Sequence, residues 1–356
     1  MGHRSPVDSG GARMPRRSVL FRVDAGPDIG LGHLQRCLSL ASALRRFDAR
    51  CIFLTNRVRA VQSRVRAFGF EADRLEGLES GGTENLKRTL EKAVRHQCDA
   101  MVVDSYHADA DYLGLLRATG LFVVAVDDLA RHPFPCQLVV NGGAHALHLP
   151  YRSSSGDTRF LLGPRYALLH PEFWDTPPRT VQQTSGNVLV TLGGADPHNL
   201  MPMLLSVLDD LPGEFTVTAI VGPFFKNRTE IQATANGCRR PVRLIRSPDS
   251  IRDLMLQADL AISAGGQTLY ELAAAGTPTV AVQVADNQVA SMRALVAEGV
   301  VYTGGCVGEA RLRDRVREAV KMLLVDKDTR ARMIAAGQRL LDGQGARRIA
   351  EVMVSV

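Results

Sequence analysis

A chain of 356 residues is long enough for two domains of roughly 150 residues each. With 45% hydrophobic and 22% charged residues it can build packed cores, which excludes wholesale disorder. No apolar run approaches the ~20 residues that span a bilayer, so no membrane partner is expected. The net charge of +6 does not point to nucleic acid: only five of the 43 basic residues are lysine, the arginines are scattered, and aromatics make up 5%. A small anionic ligand explains that charge equally well.

Residues 1–17 are rich in Gly, Arg, Ser and Pro and have no apolar centre. They read as a flexible tail, or as residues upstream of a start at Met14, and not as a secretory signal. The cytoplasm is the expected location. Short apolar, β-branched runs then alternate with stretches of helical period. In the first half the runs are Val19–Val23, Cys51–Leu54, Met101–Asp104, Phe122–Asp127 and Leu138–Val140. In the second they are Val188–Leu192, Phe215–Val221, Val242–Ile245, Leu260–Ser263 and Thr279–Val284. Such runs suit strands buried on both faces of a parallel sheet. Their alternation with helices predicts α/β architecture, with a doubly wound, Rossmann-like domain over 18–174, a polar linker over 175–186 and a second such domain over 187–356. Open α/β sheets bind ligands at the carboxyl ends of their strands, so two facing edges enclose a cleft.

The first strand runs into Asp24-Ala-Gly-Pro-Asp-Ile-Gly30-Leu-Gly32-His33, and a helix follows with Leu34, Cys37, Leu38, Ala41 and Leu44 on its buried stripe. Gly30 and Gly32 permit a tight backbone, with a spacing that differs from the dinucleotide fingerprint. His33 falls at the helix N-terminus, where the dipole disfavours a positive imidazole and favours a neutral one able to take a proton from water. The plain alternative is a helix-start residue satisfied by a backbone carbonyl. Further along, Asp109 and Asp111 form an Asp-x-Asp, read as helix-capping acids in preference to metal ligands. Asp127-Asp128 closes a strand of the first half and is expected to point to the cleft, with no role assignable from sequence.

In the second half, Leu192-Gly193-Gly194-Ala195-Asp196-Pro197 ends a strand. Bare Gly193-Gly194 backbone can approach a diphosphate and Asp196 can cap the next helix, though a pure turn explains the pattern too. Ser263-Ala264-Gly265-Gly266-Gln267-Thr268-Leu-Tyr-Glu271 follows another buried strand. Its uncapped N–H groups and the Thr268 hydroxyl suit a phosphate, and Glu271, on the face of Gln267 and Thr268, can hold two ribose hydroxyls. Glu271 complementing the helix dipole is the plainer reading. Asp286-Asn287-Gln288 sits at the cleft edge, able to orient a sugar or a water, or merely to form an Asx turn. The six scattered cysteines show neither zinc-ligand nor redox spacing and read as structural.

Three segments together resemble one family: Arg22-x-Asp24-x-Gly26-x-x-Ile29-Gly30-x-Gly32-His33-x-x-Arg36-Cys37, Leu192-Gly193-Gly194-x-Asp196-Pro197, and Ser263-Ala264-Gly265-Gly266-x-Thr268-Leu269-Tyr270-Glu271 with Asp286-Asn287-Gln288. The set is similar to the UDP-sugar hydrolases of pseudaminic acid biosynthesis, which act on UDP-2,4-diacetamido-2,4,6-trideoxy-β-L-altropyranose. The resemblance implies the GT-B fold, shared with the UDP-GlcNAc transferase of peptidoglycan synthesis, and transfer of the sugar to water. It implies His33 as the catalytic histidine, Asn287 as a substrate-positioning residue and Tyr106 as part of the sugar site. Glu271 then holds the ribose, and Gly265, Gly266, Gln267 and Thr268 the diphosphate. Gly30, Gly32, Arg36, Gly193, Gly194, Asp196 and Gln288 complete the expected substrate-binding set. No metal and no cofactor are implied, and a monomer is the expectation. Two rival functions stay open: a UDP-sugar glycosyltransferase of the same fold, and a nucleotide-sugar binding module without chemistry. Residues 141–157 match nothing in this reading.

Overall fold

The structure is a computed structural model that describes residues 17–26, 31–55, 58–75, 82–183, 186–248 and 250–355. Its first half is a seven-stranded parallel sheet of order β3-β2-β1-β4-β5-β6-β7. The strands are β1 (Ser18–Val23), β2 (Arg50–Thr55), β3 (Glu71–Arg74), β4 (Ala100–Asp104), β5 (Phe122–Val126), β6 (Leu138–Asn141) and β7 (Arg159–Leu162). A six-stranded parallel sheet of order β10-β9-β8-β11-β12-β13 forms the second half. It contains β8 (Asn187–Thr191), β9 (Thr216–Val221), β10 (Val242–Arg246), β11 (Leu260–Ala264), β12 (Thr279–Gln283) and β13 (Tyr302–Cys306).

Helices cover both faces of each sheet, as parallel strands require. The first sheet carries α1 (Gly32–Arg45) and α2 (Arg59–Ala67) on one face, and α3 (Gly82–Arg95) and α4 (Ala110–Ala118) on the other. The second carries α5 (Leu200–Asp209), α6 (Arg228–Gly237) and α10 (Leu312–Val325) on one face. On its other face lie α7 (Arg252–Gln257), α8 (Thr268–Ala274), α9 (Val289–Ala297) and α11 (Lys327–Leu340). Strand order reverses between β1 and β4 and between β8 and β11, so each sheet has a switch point at its centre, where a doubly wound fold opens a ligand crevice.

All ten runs expected from sequence lie in strands of these sheets, while β3, β7 and β13 were not anticipated. Each of the three is an edge strand. Covered on fewer sides, Glu71-Ala-Asp-Arg74 and Tyr302-Thr-Gly-Gly-Cys306 have no need of a continuous apolar run.

The last helix, α12 (Gly345–Val354), departs from the expected division at 187–356. Its Ala346, Ile349, Ala350 and Met353 join the core of the first sheet beside Leu38, Ala41 and Trp174, and the helix packs on α1. A Cβ at position 345 would lie 2.2 Å from the Ala167 carbonyl oxygen, so only glycine lets the chain make this crossing. The stretch expected as a linker runs along the second domain: Arg179 donates to the Thr277 hydroxyl at 3.0 Å, and Arg330 to the Gln182 carbonyl at 3.0 Å. Among the described residues no helix is long and apolar enough to cross a membrane.

This crossing makes the first domain's stability depend on the chain's last helix. Truncating the fully buried Ile349 to alanine should cost about 2–5 kcal/mol. Trp174, the chain's single tryptophan, sits in the same core, so its fluorescence in a urea titration reports the shift directly.

Candidate active site

The carboxyl edges of the two sheets face one cleft of about 840 Å³. The first domain lines it with Leu31–His33, Gln35, Arg36, Tyr106, Val126–Asp128, Asn141–Gly143 and His145. From the second domain come Leu192–Pro197, Ala264–Thr268, Tyr270, Glu271, Val284, Ala285, Asn287 and Gln288.

On the first-domain side, His33 stands in the opening turn of α1 with Nδ1 2.5 Å from Asp104 Oδ1. Asp104 ends β4, beside β1, and its carboxylate is fully buried. Arg36, one turn beyond His33, donates from Nε to Oδ2 and from NH2 to Oδ1, each at 2.6 Å. Burial alone pushes the Asp104 carboxyl up, but the Arg36 guanidinium and His33 outweigh it and hold the group well below the usual carboxylate range. An ionised carboxylate only accepts, so the His33 proton sits on Nδ1 and Nε2 is left as the acceptor in the neutral ring. Among the described residues Nε2 has no partner. The arrangement is that of an oriented general base.

Arg36 also donates to Asp128 Oδ2 at 3.2 Å, and the Tyr106 hydroxyl donates to the same oxygen at 3.2 Å. Burial and Asp128 push Tyr106 up to about 12, which keeps that hydroxyl protonated. The Tyr106 ring meets His33 edge-on at 4.9 Å between centroids. Across the cleft, Asn287 Nδ2 donates to the Tyr106 oxygen at 3.3 Å. Expected residues of both domains, His33, Tyr106 and Asn287, therefore converge on one point.

The second-domain side offers donors and one unusual acid. The N–H groups of Gly266, Gln267 and Thr268 have no hydrogen-bond partner among the described residues. That of Gly265 is taken by the Val282 carbonyl at 3.0 Å. Gly265 has a steric reason instead: a Cβ there would lie 2.3 Å from Met292 Sδ and 2.8 Å from Gln288 Oε1. Gln288 in turn accepts from Val284 N at 2.9 Å and braces the loop. Gly193 has φ +79°, a conformation that favours glycine. Gly194 lines the cleft beside it, and a Cβ there would stand 3.6 Å from Leu31 of the first domain. Gly32 faces Gln267 the same way, its would-be Cβ 3.9 Å from that side chain. Gly30 lies outside the described residues.

Glu271 lines the cleft with 4% exposure, and burial plus the neighbouring Glu172 push its carboxyl up to about 8. Two expected contacts are otherwise engaged. The Asp196 carboxylate accepts from Leu200 N at 2.8 Å and Met201 N at 2.9 Å, anchoring the start of α5, and the Arg36 guanidinium is held by its two carboxylates. Asp109 caps α4, accepting from Tyr112 N at 2.8 Å. Among the described residues no group of three His, Cys, Asp or Glu is placed to hold a metal, and all six cysteines are free thiols.

Sequence reading placed Asp127-Asp128 at the cleft without a role, and it missed Asp104 and the Asn141–His145 loop. A signal existed: each begins where an apolar strand ends in a polar side chain, which is where a doubly wound sheet presents its ligand contacts.

Residues 187–350 match the glycosyltransferase family 28 C-terminal domain. Acinetobacter baumannii MurG superimposes with a TM-score of 0.67 at 13% identity, over 96% of this chain and all of that one. The S. aureus MnaA–UDP co-structure gives 0.66 at 12%, over 95% and 96%. The fold is GT-B. A spore coat polysaccharide biosynthesis protein of Bacillus subtilis is 24% identical over 93% of this chain and 96% of its own length. The Helicobacter pylori pseudaminic acid cytidylyltransferase and UDP-2,4-diacetamido-2,4,6-trideoxy-β-L-altropyranose hydrolase is 26% identical over 81% of this chain. A Campylobacter jejuni relative named for that hydrolase alone is 22% identical over 71% of this chain and 86% of its own length. The resemblance drawn from the motifs is thus to proteins that carry the hydrolase name. This chain spans about half the length of the Helicobacter protein (48%) and of an uncharacterized Methanocaldococcus jannaschii relative (54%).

Proposed function

We propose that the protein hydrolyses a UDP-sugar, with UDP-2,4-diacetamido-2,4,6-trideoxy-β-L-altropyranose as substrate, in pseudaminic acid biosynthesis. The observation that carries this reading is the Asp104-oriented His33, its Nε2 bare, opposite a turn of unpartnered backbone N–H groups. The names of the Helicobacter and Campylobacter relatives supply the substrate.

Gly266, Gln267 and Thr268 hold the diphosphate, and Glu271 the ribose hydroxyls. The sugar then lies toward His33, Tyr106 and Asn287. A water between His33 and the anomeric carbon gives a proton to Nε2 while its oxygen forms the new bond to that carbon. The anomeric C–O bond breaks, and its electron pair leaves with UDP, an anion stabilised by the N–H donors. Asp104 keeps the Nδ1 proton in place and stabilises the imidazolium that forms, as in other carboxylate–histidine pairs. One displacement inverts the anomeric configuration. No metal is needed, because the diphosphate leaves with little protonation.

Incubation with a panel of UDP-sugars and no acceptor, followed by UDP release, tests the reading; a transferase would release UDP only when an acceptor is added. His33→Asn should lower turnover by about 10²–10⁴-fold. UDP affinity should stay near that of the unmodified protein, since the diphosphate contacts lie in the other domain. Turnover like the unmodified protein's would remove His33 from the mechanism.

Glu271 adds a pH signature. Ribose hydroxyls donate best to the ionised carboxylate, so UDP binding lowers a group that stands near 8 in the free protein. Affinity should therefore rise as pH approaches 8, level off above it, and fall on the acid side while Glu271 holds its proton. Calorimetry on Glu271→Gln, which lacks the titrating group, should give weaker binding with that pH dependence gone. An identical pH profile in the variant would move the ribose elsewhere.

A further inference from the structure

The loop Asn141-Gly-Gly-Ala-His145 takes no part in this mechanism, yet both domains hold it in place. Asn141 Oδ1 accepts from Gly143 N at 2.8 Å, and Asn141 Nδ2 donates to the Tyr151 oxygen at 2.9 Å. Tyr151 donates onward to Asp127 Oδ1 at 2.7 Å. From the second domain, the buried Tyr270 hydroxyl accepts from Ala144 N at 3.0 Å and pairs with the Ser291 hydroxyl at 2.6 Å. Such bracing is what a binding site needs to keep its geometry.

Two acceptors on this wall lack donors. His145 is 8% exposed, and its Nε2 lies 3.2 Å from the Asp128 carbonyl oxygen. A carbonyl only accepts, so Nε2 carries the proton and Nδ1 is the acceptor of the neutral ring. Nδ1 is buried and has no donor among the described residues. Asp128 repeats the pattern: Oδ2 takes Arg36 and Tyr106, while Oδ1 is buried and has no donor. Buried acceptors without donors are rare in folded proteins. Here two fall on neighbouring residues, both lining the cleft on the His33 side.

We propose that Asp128 and His145 form an acceptor pair that reads hydrogen-bond donors on the sugar, and that the group they take is the amide N–H of an acylamino substituent. Both residues line the cleft, where a ligand's donor would supply the partner that the protein does not. A hydroxyl would bring lone pairs as well as a proton to acceptors, Asp128 Oδ1 and His145 Nδ1, that already lack donors. An amide nitrogen brings a donor and no competing lone pair. The pair thus makes the cleft selective for acetamido sugars over their hydroxyl counterparts. The proposal rests on the UDP-sugar reading for the identity of the ligand.

The test measures binding by calorimetry in a His33→Asn background, where turnover is expected to be slowed by about 10²–10⁴-fold. The probes are UDP, UDP-glucose, UDP-N-acetylglucosamine and UDP-2,4-diacetamido-2,4,6-trideoxy-β-L-altropyranose. The quantity read is the ratio of the Kd for UDP to that for each UDP-sugar. His145→Phe and Asp128→Asn should each lower this ratio about tenfold for the two acetamido sugars. The Kd for UDP itself should not change, and the UDP-glucose ratio should change little. His145→Asn, which can return an oxygen near the Nδ1 position, should recover part of the loss. Unchanged ratios, or an equal weakening of UDP alone, would overturn the proposal. A UDP-glucose ratio that falls as far as the others would overturn the amide assignment. UDP release by the unmodified protein is scored separately: its absence defeats the hydrolase reading while these ratios still decide the acceptor pair.

Discussion

A carboxylate taken wholly out of water must be compensated where it stands, and Asp104 is the carboxylate around which this cleft is organised. Its compensation comes from a single helix turn, His33 and Arg36, three residues apart on α1. Removing Arg36 leaves a buried charge under-compensated, a loss of about 3–5 kcal/mol in comparable pairs. The same demand sets the chemistry. Because Asp104 accepts the Nδ1 proton, Nε2 is left bare beside the cleft, and Arg36 ties Asp104 to Asp128 and through it to Tyr106. On the proposed mechanism, electrostatic necessity and catalytic orientation are served by one contact.

The second constraint is that the site belongs to both domains. Asn287 reaches Tyr106, Tyr270 holds the Ala144 backbone, and Gln267 donates to the Leu168 carbonyl at 3.1 Å. With α12 packed back on α1, the chain couples the domains at the cleft and again behind it. On the proposed reading this divides the labour, with acid–base chemistry on the first domain and anion binding on the second. His170, another histidine lining the cleft, is brought down to about 4 by burial and by Arg64, which makes it a poor proton acceptor at neutral pH.

Much of this was legible in the residues. Central strands of a parallel sheet are buried on both faces, so their apolar runs stand out, whereas edge strands such as Glu71–Arg74 lack that signature. Loops that follow central strands were recognisable from Gly32-His33 and Gly265-Gly266 because close backbone approach leaves few residue types to choose from. Harder were the partners. Asp104 lies 71 residues from His33 and reads locally as the end of an apolar strand. Only the pairing of β1 with β4 brings them together. Arg36 and Asp196 look like ligand contacts until the groups that engage them are seen. The helix α12 has an apolar face, but nothing in its own sequence says which sheet that face covers.

The central claim is that water, activated by His33 on the sugar side of the cleft, attacks the anomeric carbon. Turnover of the UDP-sugar in ¹⁸O-water, followed by mass spectrometry of both products, addresses it directly. The account predicts the heavy oxygen in the free sugar and none in UDP. Label in the nucleotide would mean attack at phosphorus, and the assignment of His33 to the sugar side would then be wrong.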